Sequence, residues 1–349
     1  MDNLANMPEI SIIIPCRNEN NFIGKCLDSI IANDYPKDKL EILVVDGMSD
    51  DGTREIVSRY YEEYPFIRLL YNPEKFTPMA MNLGINCSKG EVIVMVNAHS
   101  VLDKDFLKYN IEYLDLTKSN AVGGMLNTIN DEISLVMQAI PLAADSIFGS
   151  GGRRYRSRRE EGFVTDTLPY CAYPRKTFEQ YGYIDEELIR DQDEEFNYRI
   201  LQRGGKIFFT PKIKSFLYVR RSLKMLWKQH FQYGYFKPLV TKKVGAILSW
   251  RQLIPAVFVS TFFISGMLSF MLRPFLWLFL LISLFYLATN LVFSITIGVN
   301  KGSQYIFILP IIFTMLHFSY GLGYLKGILD LIILKRQKKK IIEDIPLTR

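Results

Sequence analysis

Four short apolar runs punctuate the first hundred residues: "EISIIIP" (9–15), "LEILVVD" (40–46), "FIRLLY" (66–71) and "EVIVMVN" (91–97). Each is rich in β-branched side chains and almost continuously apolar, the pattern of strands covered on both faces, and the segments between them repeat apolar positions at helical spacing. This alternation predicts an α/β domain with a mainly parallel sheet. In such sheets ligands bind beyond the carboxyl ends of the strands. Those ends carry Pro15-Cys16-Arg17-Asn18-Glu19, Asp46-Gly47 and Asn97-Ala98-His99, which marks them as the candidate site.

The pattern changes near residue 250. The stretches 252–272 and 274–299 each exceed the roughly 20 residues needed to cross a bilayer, and neither has an internal charge. A third apolar stretch, 304–334, is interrupted by Pro310, His317, Lys326 and Asp330, so it fits a re-entrant or interfacial segment as well as a third crossing. It runs into "KRQKKK" (335–340), a basic tail expected to stay on the cytoplasmic side. The division expected is therefore a domain over 1–240 followed by a C-terminal transmembrane helical region over 241–349.

Composition supports that division. Of 349 residues, 49% are hydrophobic, with 24 Phe and 20 Tyr, more than an ordinary soluble enzyme carries, and the excess lies mainly in the C-terminal quarter. The four cysteines lack CxxC spacing and the three histidines form no cluster, which argues against a disulfide framework or a structural zinc site. "MDNLANMPEISIIIP" has no basic segment leading into an apolar one, so the first domain is expected to face the cytoplasm. The net charge of +6 suits anionic headgroups or phosphorylated substrates, while the basic runs flank membrane segments without any nucleic-acid-recognition motif.

"SIIIPCRNENNFIGKCLDSI", "ILVVDGMSDDGT", "NLGINCSKGEVIVMVNAHS" and "DQDEEFNYRILQRGGKI" resemble, in order and spacing, the successive motifs of the family 2 inverting glycosyltransferases. "NPEKFTPMAMNLGI", the Ala98-His99 pair, "GSGGRRYR" followed by "VTDT", and "DEEFNYR" are most similar to membrane-anchored exopolysaccharide enzymes of the succinoglycan type. The resemblance implies a GT-A nucleotide-diphospho-sugar transferase fold over about residues 9–235. It also implies a nucleoside diphosphate sugar as donor, a UDP-sugar first among them, and a polyprenyl-diphosphate-linked acceptor in exopolysaccharide, capsule or cell-surface glycan synthesis. The enzyme would sit in the cytoplasmic membrane as a multi-pass protein, possible partners being other polysaccharide-assembly proteins.

Carried onto this chain, the resemblance assigns nucleotide-sugar contacts to Pro15, Arg17, Glu19, Asp46, Asn82 and Asn97. Family members usually place Asp-X-Asp at the fourth strand end, the second carboxylate holding a divalent ion that neutralises the departing diphosphate. Here His99 takes the metal position, an imidazole being an acceptable ligand for Mn²⁺ or Mg²⁺, and Asn97 stands where a carboxylate is usual. An inverting transfer also needs one general base. The family pattern Glu-Asp-X-X-hydrophobic-X-X-Arg, counted back from Arg199 through Phe196, puts the base at Asp193 and Gln192 where Glu is usual.

Several of these residues admit a plainer role. Asp46 could cap the next helix, although Ser49, Asp50 and Asp51 are better placed for that. Asp191, Asp193, Glu194 and Glu195 could simply favour a helix N-terminus. Arg153, Arg154 and Arg156 lie in a loop with five arginines in 153–159, and together with Arg199 and Gln229 they are candidates for acceptor or phosphate contacts. The substitutions Asn97 and Gln192 keep a second reading open, a catalytically weakened nucleotide-sugar-binding scaffold of an assembly complex. A processive synthase is disfavoured by the lack of Gln-X-X-Arg-Trp in 220–240.

Overall fold

A computed structural model describes residues 7–129, 134–150, 160–165, 167–218, 222–245 and 250–336. They form two compact units, one of residues up to Ile129 with those from 160 to Tyr218, the other of 134–150 with 222–336. The division falls ahead of the composition change near residue 250. The helix Leu223–Val244, of ordinary polar content, belongs with the apolar helices that follow it.

In the first unit the four apolar runs become β1 (Ile10–Cys16), β2 (Leu40–Asp46), β3 (Ile67–Tyr71) and β4 (Val92–Met95), separated by α1 (Ile23–Ile31), α2 (Thr53–Glu63) and α3 (Thr77–Cys87). They lie in the order β3-β2-β1-β4 and pair in parallel, with Ile12 opposite Ile42 on one side and Val94 on the other. Beyond β4 the sheet is mixed. β5 (Ser100–Leu102), β6 (Ala121–Ile129), β7 (Gly162–Val164), β8 (Ala172–Pro174) and β9 (Ile207–Tyr218) complete nine strands, β8 antiparallel to β4 and β6, β5 and β7 antiparallel to β9, and β6 parallel to β9. Parallel pairing thus describes the first half of the sheet and only one junction of the second.

Alternate side chains of β1 build cores on both faces. Ile10, Ile12 and Ile14 join Ile23, Cys26, Leu27 and Ile30 of α1 and Phe106 and Leu107 of α4 (Phe106–Thr117) on one face. Ile13 joins Ala80, Met81 and Ile85 of α3 and Phe178, Phe196 and Ile200 on the other. Each fully buried Ile stabilises the fold by about 1.5–3 kcal/mol, while the buried Ser11 of β1 is satisfied by donating its hydroxyl to Glu41. At Gly84 a Cβ would lie 2.4 Å from Ile13 Cγ2, so the absent side chain sets how closely α3 approaches β1.

The second unit is helical. Its interior combines Ala139, Ile140 and Ala143 of the helix Leu135–Asp145 with Leu226, Leu309, Ile312, Phe313 and Leu316. The helices Leu223–Val244 and Leu309–Gly327 touch backbone to backbone through glycines, since a Cβ on Gly234, Gly323 or Gly327 would lie 2.1 Å from the carbonyl oxygen of Tyr320, Phe231 or Tyr235. Replacing Gly323 by Val is therefore expected to force these helices apart and lower the melting temperature of the purified protein in scanning fluorimetry. An unchanged midpoint would show that the contact is dispensable.

Among the described residues two helices are long and apolar enough to cross a membrane, Trp250–Leu268 and Arg273–Lys301. Their side chains are mostly uncovered, with Val299 75% and Phe285 72% exposed, as is Phe270 (92%) in the turn between them. Apolar surface of that extent calls for a nonaqueous neighbour. The third stretch instead folds as Leu309–Gly327 and a π-helical turn, Ile328–Ile333, much of it buried within its unit. Polar contacts tie it to the longer candidate span: Tyr286 Oη to His317 Nδ1 at 3.0 Å, and Asn290 Nδ2 donating to Pro310 O at 3.1 Å. In apolar surroundings such bonds hold helices together.

Candidate active site

Two loops at the carboxyl edge of the sheet are stapled to each other. After β1, the backbone N–H of Asn18 donates to Ser49 Oγ (2.8 Å), that of Glu19 to Thr53 Oγ1 (2.8 Å) and the side chain of Asn20 to Asp51 O (2.8 Å). In return Asp50 N–H donates to Asn18 Oδ1 at 2.9 Å. Asn18 and Met48 both have positive φ, 55° and 61°, a strained choice for non-glycine residues that this network holds in place. Arg17 is exposed, and its side chain lies against Gly47, where a Cβ would be 3.4 Å from Arg17 Cβ. Pro15 is half-buried within β1.

Asp46 ends β2 fully buried. Its carboxylate accepts from Ser49 N–H at 3.0 Å and from the Ser49 hydroxyl, with Arg54 Nε 4.0 Å away. A buried carboxylate needs such partners, and the chain itself supplies them. Asp46 therefore shapes the 46–49 turn in addition to any contact with a ligand. Asn82 is similarly engaged: its amide nitrogen donates to Ile184 O and Glu186 Oε1, both at 2.9 Å, and its oxygen accepts from Ile184 N–H at 3.0 Å. It ties α3 to the segment before the helix Gln192–Gln202.

At the end of β4, Asn97 and His99 turn to different partners. Asn97 Nδ2 donates to Tyr170 Oη at 3.0 Å, and Tyr170 Oη lies 2.6 Å from Ser100 Oγ. His99 Nδ1 lies 3.0 Å from Glu19 Oε1, with the side chains 19% and 11% exposed. The strand end and the first loop, 80 residues apart in sequence, thus meet through an imidazole and a carboxylate. Tyr170 is a site residue that sequence patterning did not reveal, since it sits with φ 51° just ahead of a three-residue strand.

Asp193 lies in the first turn of the helix Gln192–Gln202, as the motif spacing requires. It is half-buried, and its charge reaches the strand-end cluster. Burial raises the phenol of Tyr170 above its ordinary range, bonds with Ser100 and Asn97 oppose that rise, and the charge of Asp193 adds to it. Burial likewise raises the Cys171 thiol to about 12, with Asp193 contributing. Among the neighbouring acids, Glu195 serves a different purpose. It takes Arg199 Nε at 2.9 Å and Nη2 at 2.7 Å, while Arg199 Nη1 donates to the carbonyls of Tyr181 (2.8 Å) and Tyr183 (2.9 Å). Arg199 therefore clamps the turn at Gly182 to the helix. Asn197 adds a second brace, accepting from Tyr173 Oη at 2.8 Å.

Gln229 belongs to the second unit and donates to Tyr233 Oη at 3.0 Å. Arg153, Arg154 and Arg156 lie outside the described residues. All four cysteines are free. Among the described residues no three His, Cys, Asp or Glu side chains form a metal cage. His99 and Glu19 offer one imidazole and one carboxylate in a partly open position. Such a sparse donor set fits a divalent ion completed by phosphate oxygens and water, as such ions commonly are at phosphate sites.

Comparison with known proteins bears on the family and the fold. The description of glycosyl transferase family 2 matches residues 11–182. Over 335 residues, 92% of this chain and 97% of its relative, the chain is 31% identical to the dolichyl N-acetyl-alpha-D-glucosaminyl phosphate 3-beta-D-2,3-diacetamido-2,3-dideoxy-beta-D-glucuronosyltransferase of Methanococcus voltae. It is 27% identical over 246 residues to the succinoglycan biosynthesis protein ExoA of Rhizobium meliloti, covering 70% of this chain and 73% of that protein. Among solved structures, the mannosyltransferase PcManGT of Pyrobaculum calidifontis, in complex with GDP-Man and Mn²⁺, superposes with a TM-score of 0.58 at 17% identity, covering 93% of this chain and 88% of that one. That likeness is one of fold, and the fold is GT-A. Near end-to-end similarity to one glycosyltransferase, and motifs that fall at the strand ends where such enzymes work, lead to one conclusion: this chain belongs to glycosyl transferase family 2 and is a glycosyltransferase.

Proposed function

We propose that the protein moves a sugar, with inversion, from a nucleoside diphosphate sugar to a lipid-linked saccharide at a membrane, and that Asp193 is the general base. The observation that carries this reading is the placement of Asp193 in the first turn of its helix at the motif spacing, together with the strand end after β4, where Asn97 bonds Tyr170 and His99 pairs with Glu19. A base and a diphosphate-facing strand end within one cluster are what a direct displacement at a sugar carbon needs.

In this reading the loops after β1 and β2 bind the nucleotide, Asp193 accepts the proton of the acceptor hydroxyl as that oxygen attacks the anomeric carbon, and the nucleoside diphosphate leaves on the opposite face. His99, with Glu19 beside it, would hold a divalent ion, which supplies charge neutralisation for the leaving diphosphate. Lipid linkage of the acceptor is supported by the name of the Methanococcus voltae relative and by two uncovered apolar helices. Membranes containing the protein, given radiolabelled nucleotide sugars beginning with UDP-sugars and a panel of polyprenyl-linked acceptors, should transfer label into the lipid extract in a Mn²⁺-stimulated manner. No transfer by the wild type, with nucleotide binding intact, would favour the scaffold reading that Asn97 and Gln192 suggest.

Two crossings would leave both ends of the chain on one side. With single cysteines placed at residue 2 and at residue 349 in a background lacking the four native thiols, an impermeant maleimide added to intact cells should label neither. A labelled C-terminus alone would mean an odd number of crossings.

A further inference from the structure

A family 2 site with Asn97 in place of a carboxylate is short of one negative charge at its metal-facing strand end. The structure does not return that charge through Asn97, whose amide is committed to Tyr170 at 3.0 Å. It brings in Glu19 from another loop, 3.0 Å from His99 Nδ1. We infer that Glu19 is a positioning residue for His99: its carboxylate accepts the Nδ1 proton and so presents the unprotonated Nε2 to the divalent ion. The inference rests on the reading of His99 as the metal-facing residue.

Three observations support it. An ionised carboxylate can only accept, so a hydrogen bond at Nδ1 makes that nitrogen the donor and places the lone pair of the neutral ring on Nε2. Among the described residues the His99 ring makes no hydrogen bond besides the one to Glu19, so none of them takes up Nε2. Both partners are also held by their backbones. Glu19 N–H donates to Thr53 Oγ1 at 2.8 Å and Glu19 O accepts from Phe22 and Ile23, both at 2.9 Å, while His99 O accepts from Tyr218 N–H at 3.1 Å and the next turn is closed by Ser100 N–H on Asn97 O at 3.1 Å. A carboxylate behind a ligating imidazole fixes its tautomer and ring orientation and raises its basicity, which offsets part of the charge that Asn97 does not provide. The assignment departs from a direct nucleotide-sugar contact for Glu19, because its Oε1 is engaged with His99.

The test uses the full chain in detergent, with histidine ¹⁵N labelling. Only three histidines are present, which keeps the spectrum assignable. In the metal-free wild type, the neutral His99 ring should show the Nδ1–H tautomer, and Glu19→Ala should shift it toward Nε2–H. Mn²⁺ titrated against the protein with UDP present, read by the paramagnetic resonance of free Mn²⁺, should bind about 10- to 100-fold more weakly to Glu19→Ala, with Glu19→Gln between the two. UDP affinity measured without metal should fall by much less than the Mn²⁺ affinity does. An unchanged tautomer in Glu19→Ala, or a loss of metal-free UDP affinity as large as the loss of Mn²⁺ affinity, overturns the inference; the second outcome makes Glu19 a nucleotide ligand. Should Glu19→Ala not fold, Glu19→Gln carries the test, and wild-type values in both readouts overturn it. Separately, His99→Ala with wild-type Mn²⁺ affinity removes the metal assignment itself, whatever the tautomer shows.

Discussion

Replacing Asp193 by Asn is expected to lower turnover by about 10²- to 10⁴-fold, the usual contribution of a general base, while leaving the dissociation constant of the nucleotide almost unchanged. The substitution keeps size and most hydrogen bonding but removes the ability to take a proton. Donor binding should survive because the loops are stapled to each other by bonds of Asn18, Glu19 and Asn20 to Ser49, Thr53 and Asp51. Glu194→Gln is the proper control. Glu195→Gln is not, because Glu195 receives both Nε and Nη2 of Arg199 and its loss would disturb the helix that carries Asp193. Calorimetry with UDP and initial rates with the lipid extract separate the two quantities. Near wild-type turnover in Asp193→Asn, or an equal loss in Glu194→Gln, would move the base elsewhere and restore the view of these acids as a mere helix-terminal cluster.

Arg199→Leu should be costly for a different reason. The guanidinium makes four hydrogen bonds, two to a carboxylate whose side chain is only 8% exposed and two to the carbonyls of Tyr181 and Tyr183. Removing one member of such a pair leaves an uncompensated buried charge, worth about 3–5 kcal/mol of local stability. Hydrogen exchange of the peptide spanning 192–202 should show that loss, and the double variant Arg199→Leu/Glu195→Leu should recover much of it, since an apolar pair leaves no charge stranded. Arg199→Lys should recover little because an ammonium cannot reproduce the bidentate fork. Unchanged exchange combined with weakened binding of a phosphate-bearing ligand would return Arg199 to the substrate-contacting role that the family pattern suggests.

How much of this was legible beforehand differs from element to element. β1 to β4 could be read because a strand buried on both faces is apolar at nearly every position, and "SIIIP" and "ILVVD" are β-branched runs too short for a buried helix. β5, β7 and β8 are three residues long and carry Ser, Gly and Pro, too short for any periodicity, so these antiparallel partners were invisible. The place of Asp193 on the first turn of its helix followed from a spacing of six residues to Arg199, a local property. Arg199 itself looked like a ligand contact, and only the path of residues 181–183 around it shows a clamp.

The sequence by itself determined the family, the strand ends as the candidate site, the place of Asp193 near a helix start and two long apolar helices, because each of these is written in contiguous residues through periodicity or motif spacing. Tertiary structure alone decided the pairings: Glu19 with His99, Asn97 with Tyr170, Asp46 with its own turn, and the glycine-lined contact that folds the third apolar segment onto Leu223–Val244. The physical reason is that a polar side chain leaving water must be partnered. In a parallel sheet with long crossovers, that partner is delivered by whichever loop the topology brings to the same edge, however far away it lies along the chain.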